Sequence, residues 1–284
     1  ENGDTERLSI GGITVENRKC RVNLVGIGMG SKGTLAEEVR KIIAESDVLI
    51  GAGLSSSAAF ETIIGTIVSG LYNDMQISMV EIAQIGQYSE NVYFGKPSGL
   101  MDQTACAVGG LIHIDFKDPK APVVEKVDVD FENHACSLCI VDTKGSHQDL
   151  TPDYAQIPAD MKAIATYFGK EVLRDVDEKE FFAAIPALRE KLGDRPVLRA
   201  MHFFGDNARV AAQVASLREG RFEDFLNMIK ASGDSSFKYL QNVYSVKNLS
   251  RQEMAVGLAF SDVILKGRGV SRVHGGGFAG TIQA

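Results

Sequence analysis

The sequence has no long hydrophobic run, no basic block and few cysteines, and each absence excludes a class of protein. Without a stretch of about 18 consecutive apolar residues, no transmembrane helix is expected. Residues 1–19 are polar and contain no hydrophobic segment of the kind found in a signal peptide. The formal net charge of -7 disfavours binding to nucleic acid or to an anionic membrane. We therefore expect small-molecule partners, and a monomer or a weak homo-oligomer.

The cysteines are Cys20, Cys106, Cys136 and Cys139. Cys136 and Cys139 form a CxxC pair, but no second pair follows at the spacing of a zinc site. The pair lies in ACSLCIVD, whose apolar character is typical of a buried strand, so we interpret both as core thiols rather than a redox pair. Few, scattered cysteines also fit a cytoplasmic protein.

The residues that are present, 44% apolar and 24% charged, are typical of a globular protein. Strand and helix patterns alternate in the first part, whereas residues 153–266 have mostly helical periodicity. The closing segment GVSRVHGGGFAGTIQA returns to strand and glycine-rich turn. The predicted strands are residues 21–27, residues 47–51, residues 110–116, VVEKVDVDF and ACSLCIVDT. This order predicts an α+β fold with two domains, residues 1–145 containing a mixed sheet with helices and residues 146–284 mostly helical.

The stretch GAGLSSSAAF, residues 51–60, combines two glycines and three serines at the start of a helical pattern. A helix is predicted to begin near Ser55 to Ser57, because serine is a preferred N-cap. Its apolar face is predicted to be Phe60, Ile63, Ile64, Ile67, Val68 and Leu71. The first turn of a helix offers unpaired N–H groups and about half a positive charge. Capping needs one serine, so three favour an anion-binding loop, which on an acidic protein suits a phosphate chain.

A second glycine motif lies upstream, where residues 28–33 match GxGxxG and Asp47 follows at about the dinucleotide-site spacing. The ribose-binding acid of such a site belongs at the carboxyl end of the second strand. Asp47 precedes VLI, so it falls at the opposite edge and is interpreted as a strand-entry residue. Neither glycine stretch has the lysine of a Walker A loop.

Several further residues have both a chemical and a structural interpretation. Asp102 is predicted just inside a helix, where a carboxylate complements the helix dipole, and taken alone this structural interpretation is favoured. Glu90 is predicted on the preceding helix, either as a solvated residue or as a metal ligand. Tyr154 either donates to a ligand or packs at a helix start. The turn HGGGFAG, which begins at His274, allows close backbone approach to a ligand or to another segment.

Taken in order, GAGLSSSAA, GLMDQ and HGGGFAG resemble the GHMP kinase superfamily, and GLMDQ with Glu90 and Tyr154 resembles its galactokinase branch. The resemblance covers about residues 47–284. It implies a two-domain GHMP kinase fold and an enzyme that uses ATP and Mg²⁺ to phosphorylate galactose at the C1 hydroxyl, giving galactose 1-phosphate and ADP.

The resemblance also implies roles for individual residues. Asp102 corresponds to the proposed base and contacts the sugar hydroxyl, Glu90 to the acidic Mg²⁺ ligand, and Tyr154 to a tyrosine that hydrogen-bonds the sugar. Ser57 is implied as a second Mg²⁺ ligand. The implied ATP phosphate loop consists of Gly51, Gly53, Leu54, Ser55, Ser56, Ser57 and Ala58. The glycines implied to line the substrate site are Gly275, Gly276 and Gly277.

One motif of the galactokinases is incomplete. Residues 21–26, RVNLVG, are similar to the first half of the family's opening motif GRxNLIGEHTDY, but Ile27-Gly28-Met29 replaces its acidic half. We therefore expect that residues are missing before residue 1, after Ala284 and near residues 30–47. The alternatives are another GHMP small-molecule kinase, a galactose- and ATP-binding sensor without activity, and, last, a dinucleotide-binding enzyme.

Overall fold

The structure is a computed structural model that describes part of the chain. For residues 8–16 and 19–26 the structure describes the backbone only. It describes residues 55–95, 98–129, 131–145 and 149–284 in more detail. Two compact units divide the chain, Glu1–Gly109 and Gly110–Ala284. A compact unit is defined by packing alone, so the predicted domain border between residues 145 and 146 stays a prediction.

The first unit opens with an antiparallel pair of strands, β1 (Leu8–Glu16) and β2 (Lys19–Gly26). Strand β2 confirms the strand predicted at residues 21–27. Three helices follow, and their bounds are α1 (Ser56–Tyr72), α2 (Met79–Tyr88) and α3 (Met101–Val108). A π-helical segment, Ser89–Tyr93, continues α2. The predicted strand at residues 47–51 and the GxGxxG motif lie outside the described residues.

Helix α1 begins where the sequence predicts, but the buried face differs from the predicted one. Ala58, Thr62 and Ser69 are buried, and a Cβ on Gly65 would lie 2.9 Å from Ile82 Cγ2 of α2. These small residues recur every three or four positions and let α1 pack closely on α2 and α3. The predicted apolar residues lie mostly on the opposite face of α1, because an α-helix has about 3.6 residues per turn, and they are half-buried or exposed. The prediction that these apolar residues form the buried face of α1 was therefore wrong.

Helix α2 is fixed at its start by a reciprocal capping box. Ser78 Oγ accepts a hydrogen bond from Glu81 N at 3.2 Å, and the Glu81 carboxylate accepts one from Ser78 N at 2.9 Å. Ile82 and Ala83 of α2 are fully buried. The well-defined helix start and this packing set the position of the π-helical segment that contains Glu90.

The second unit is mostly helical with short strands. Its strands are β3 (Ile112–Asp115), β4 (Val123–Lys126), β5 (Ile140–Asp142), β6 (Arg272–Val273) and β7 (Thr281–Gln283). Its helices are α4 (Thr151–Tyr167), α5 (Glu178–Leu192), α6 (Asp194–Arg218), α7 (Phe222–Ser235) and α8 (Glu253–Leu265). Strands β3 and β4 pair, and a second, antiparallel sheet has the order β5-β7-β6. Together the two units have the predicted α+β class.

Hydrophobic clusters organise the second unit. One packs α4, α5 and α6 around fully buried Phe181 and Leu188. Another joins Val243, Met254 and Ile282, which brings α8 against β6 and β7. Among the described residues, none of the helices has both the length and the hydropathy of a membrane span.

The two CxxC cysteines contradict the prediction of buried thiols. Cys139 is exposed and Cys136 is half-buried, and both are free thiols. Only Ile140–Asp142 of the predicted strand is extended, and within the described sheet β5 pairs on one side with β7. Cys136 and Cys139 precede this strand, so the apolar pattern overestimated both the length of the strand and the burial of the thiols.

Candidate functional site

The start of α1 is connected to Asp102 by a hydrogen bond. Ser55 has a φ of 52°, in the left-handed region, and its side chain makes no capping bond to its own helix. Its hydroxyl instead donates to Asp102 Oδ2 at 2.7 Å. A left-handed serine costs about 1–2 kcal/mol, and such strain is often found at ligand sites. Ser55 therefore occupies the N-cap position that the sequence predicts, but its side chain does not cap the helix.

The first turn of α1 keeps the arrangement that an anion site needs. The first intrahelical bond runs from Ala59 N to Ser55 O at 3.0 Å, so the preceding amides lie outside the helical ladder. Ser57 is exposed and the Ala58 side chain is buried, while Ser56 is the first residue of the helix. The other predicted phosphate-loop residues, Gly51, Gly53 and Leu54, lie outside the described residues.

Glu90 is buried, with 4% of its surface exposed, so the interpretation as a solvated glutamate was wrong. It lies in the π-helical segment after α2, a local widening that is frequent at functional sites. Gln103 Nε2 donates to Glu90 Oε2 at 3.2 Å and to Glu61 Oε2 at 3.4 Å. Glu90 is thus held by the residue that follows Asp102.

The predicted metal ligands are Ser57 and Glu90. Within those ranges, no group of three His, Cys, Asp or Glu side chains could hold a metal ion. Ser57 and Glu90 offer hard oxygen donors of the type that Mg²⁺ takes, and such sites are usually completed by water and substrate phosphates. The residue types therefore fit a cation that arrives with a nucleotide rather than a cation held by protein alone.

Cys106 lies one helical turn after Asp102 on α3. Burial, and then the charge of Asp102, raise the pKa of the Cys106 thiol. A thiol with a raised pKa stays neutral at physiological pH and is a poor nucleophile. Of these two neighbours, Asp102 is therefore the better candidate for acid–base chemistry.

In the second unit, Tyr154 is joined to the glycine-rich turn. Its hydroxyl donates to the carbonyl oxygen of Gly277 at 2.7 Å, and its ring packs edge-to-face on Phe278 with centroids 5.3 Å apart. Burial, and then the charge of Asp153, raise the pKa of Tyr154. The phenol therefore stays protonated, and its oxygen keeps lone pairs that can accept from a ligand hydroxyl.

The glycines of the turn are required by close contacts. Gly277 has a φ of 86°, and a Cβ there would overlap the carbonyl oxygen of Asn242. A Cβ on Gly276 would lie 2.8 Å from Tyr154 Cε1, and Asn242 Nδ2 donates to Gly276 O at 3.1 Å. Gly275 is exposed, with a φ of 72° and open space where its Cβ would be. Here the glycines accommodate neighbouring protein and leave an exposed backbone turn.

The structure thus brings together some of the predicted residues within each unit. In the first unit Ser55 meets Asp102, and in the second Tyr154 meets Gly276 and Gly277. The residues missed by sequence reasoning are Gln103, Glu61 and Asn242. Gln103 is part of the motif GLMDQ, which was a usable signal. Nothing in the sequence indicates that Asn242 contacts a turn about 30 residues away in the chain.

The chain is similar to known proteins in sequence. Residues 24–110 match the family described as GHMP kinases N terminal domain. A galactokinase from Actinobacillus pleuropneumoniae is 30% identical over 237 residues, which cover 84% of this chain and 59% of that protein. A galactokinase from Streptomyces coelicolor is 34% identical over 177 residues, 62% of this chain and 44% of that protein.

A solved structure shares the fold. The crystal structure of Lactococcus lactis galactokinase complexed with galactose aligns with a TM-score of 0.66 and 20% identity, covering 93% of this chain and 70% of that one. The chain spans 59% of the length of the first curated relative it matches. The resemblance predicted from the three motifs is confirmed: residues 24–110 match the GHMP kinases N terminal domain, and most of the chain is similar in sequence to galactokinases.

Proposed function

We propose that this chain is the greater part of an ATP-dependent sugar kinase that phosphorylates galactose at its C1 hydroxyl. The observation that carries the proposal is the 2.7 Å hydrogen bond from Ser55 to Asp102. It connects the residue before α1, at the predicted phosphate loop, to the carboxylate predicted to meet the sugar hydroxyl. A nucleotide site and a base are the two parts that phosphoryl transfer to an alcohol requires.

In the proposed reaction, the C1 hydroxyl oxygen forms a bond to the γ-phosphorus of ATP. The bond from that phosphorus to the β–γ bridging oxygen breaks, and ADP leaves with the electron pair. The hydroxyl proton passes to Asp102, which is exposed and therefore accessible. General-base assistance of this kind contributes about 10²–10⁴-fold to a rate.

The amides that open α1 are proposed to bind the phosphates of ATP, with the hydroxyls of the serine loop as further donors. The helix N-terminus attracts negative charge at this place. The overall field of a protein with a net charge of -7 would instead repel an anion. Ser57 and Glu90 would hold Mg²⁺ as oxygen ligands. When bound, Mg²⁺ would neutralise charge that develops on the phosphate oxygens.

In the second unit, we propose that Tyr154 and the turn of Gly275, Gly276 and Gly277 contact substrate. Tyr154 donates its proton to Gly277, so toward a sugar its oxygen acts as an acceptor. The exposed backbone of Gly275 and Gly276 permits close approach of a ligand.

A substrate panel tests the proposal. The chain is incubated with Mg-ATP and, separately, galactose, glucose, mevalonate or homoserine, and ADP release is measured. Release with galactose, and a sugar 1-phosphate seen by ³¹P NMR, is the expected result. Release with mevalonate or homoserine alone would instead indicate another GHMP small-molecule kinase. Galactose and ATP binding without ADP release would indicate a sensor. A cytoplasmic location stays a prediction.

A further inference from the structure

Gln103 is a buried polar residue that the proposed reaction does not use directly. It lies on α3 beside Asp102, and 1% of its surface is exposed. Its Nε2 is within hydrogen-bond distance of two carboxylates, Glu90 Oε2 at 3.2 Å and Glu61 Oε2 at 3.4 Å. An amide nitrogen carries two N–H groups, so it can donate to both at once.

These two hydrogen bonds join the three elements that contain the predicted nucleotide and base residues. Glu61 is on α1, one turn after Ser57, and Glu90 is in the π-helical segment. The approach is close because Gly86 of α2 has no side chain: a Cβ there would lie 3.2 Å from Glu61 Oε2 and 3.4 Å from Gln103 Cγ. The Gln103 amide therefore makes polar contacts that join α1, α3 and the segment after α2.

The orientation of the Gln103 amide is fixed at a cost. Its other polar atom, Oε1, is buried and accepts no hydrogen bond within the part of the chain that the structure describes. A buried acceptor in that state costs about 1–3 kcal/mol. Rotating the amide would place Oε1 against the carboxylates, where like partial charges repel. The unsatisfied oxygen is thus the consequence of directing both N–H groups at Glu61 and Glu90.

We propose that Gln103 is a positioning residue that orients the Glu90 carboxylate toward the divalent cation bound with the nucleotide. The inference rests on the proposed function. A neutral amide is suited to this role because it donates hydrogen bonds to a carboxylate without cancelling its negative charge. Partners that orient a metal ligand in this way typically change metal affinity or activity by about 10–100-fold when removed.

The test measures cation binding directly, using Mn²⁺ as the probe. Mn²⁺ binding in the presence of a non-hydrolysable ATP analogue is followed by electron paramagnetic resonance for the full chain and for Gln103→Met. Methionine has a similar length but no N–H donors. We expect the Mn²⁺ dissociation constant to rise about 10-fold or more, and the Mg²⁺ requirement for ADP release to rise with it. The KM for galactose should stay within about twofold, because Gln103 holds a cation ligand and not the sugar.

A matched control separates this role from a general loss of an amide. Gln87 of α2 donates to the backbone oxygen of Ser98 at 3.1 Å and to no carboxylate described by the structure. Gln87→Met removes one amide donor from the same unit and should leave Mn²⁺ affinity within about twofold of the unchanged chain. If Gln103→Met fails to fold, Gln103→Asn keeps a buried amide but is one carbon shorter, and it should show the same loss of Mn²⁺ affinity.

Two results would overturn different parts of the account. If the unchanged chain does not bind Mn²⁺ with the nucleotide analogue, the proposed function fails. If it does bind, and Gln103→Met or Gln103→Asn is folded and binds Mn²⁺ equally well, only the role of Gln103 fails.

Discussion

Ser55 donates its hydroxyl proton to Asp102 across 2.7 Å, although the two residues are 47 positions apart in the chain. The contact places a strained serine, at a φ of 52°, between the start of α1 and the first turn of α3. A serine in this position does two things at once. It fixes the direction of the Asp102 carboxylate, and it leaves the amides at the start of α1 without a side-chain cap.

Removing the Ser55 hydroxyl tests the first of these effects. In Ser55→Ala the Asp102 carboxylate loses a hydrogen bond, and bonds to charged groups contribute about 1.5–3 kcal/mol. We expect galactose-dependent kcat to fall about tenfold. The control is Ser69→Ala on the same helix, since the buried Ser69 hydroxyl has no hydrogen-bond partner in the described ranges. Equal activity of the two variants would contradict a role for Ser55 in orienting Asp102.

Tyr154 is expected to affect the sugar more than the nucleotide. Tyr154→Phe keeps the ring that packs on Phe278 but loses both the bond to Gly277 and the acceptor proposed for a sugar hydroxyl. The KM for galactose should rise about tenfold, with ATP affinity unchanged. Tyr167→Phe, on the same helix, is the control and should leave both constants as they were. A change in ATP affinity alone would argue against sugar contact.

The glycine-rich turn makes a prediction about stability. Gly277→Ala places a Cβ into the Asn242 carbonyl oxygen at a positive φ, whereas Gly267→Ala has a similar φ of 78° but open space around the Cβ. Gly267→Ala should cost about 1 kcal/mol through backbone strain. Gly277→Ala should cost more, because strain and overlap add. Urea unfolding of the two variants measures the difference, and equal losses would mean that the turn relaxes away from Asn242.

His202 predicts a pH dependence of stability. It is buried on α6, with Nδ1 2.9 Å from Ser235 Oγ. Burial lowers the pKa of His202, Arg209 and Arg272 act in the same direction, and Asp206 opposes them. Below the unfolded value of about 6.5 the unfolded chain then binds more protons than the folded one, so the free energy of unfolding falls as pH falls toward the folded pKa.

Replacing His202 should remove that dependence. The free energy of unfolding is measured by urea titration between pH 5 and pH 7.5 for the unchanged chain and for His202→Asn, which keeps a polar atom near Ser235. The variant is expected to lose less stability on acidification. If the free energy of unfolding falls equally in both chains, groups other than His202 cause the loss of stability at acidic pH.

Features determined by neighbouring residues could be predicted from the sequence. The start of α1 at Ser56, Asp102 in the first turn of α3 and the helical second unit all follow from local periodicity and punctuation by glycine and serine. The motifs GAGLSSSAA, GLMDQ and HGGGFAG also indicated the family before any geometry was known.

Features that depend on partners distant in the chain could not be predicted. The buried stripe of α1 packs against Ile82 of α2, so the larger apolar residues of α1 are half-buried or exposed. Cys139 is exposed although ACSLCIVD has the apolar pattern of a buried strand. The bonds from Ser55 to Asp102 and from Gln103 to Glu90 require helix packing, and a sequence pattern contains no information on which way a side chain turns there.

The most direct test of the account compares Asp102→Asn with the unchanged chain in two measurements, ATP affinity by calorimetry and galactose-dependent ADP release. Asparagine keeps an oxygen that can accept from Ser55 but is a far weaker base. We expect ATP affinity within about twofold and turnover lower by about 10²–10⁴-fold. A variant with full turnover, or an unchanged chain that does not bind Mg-ATP, would contradict the central claim.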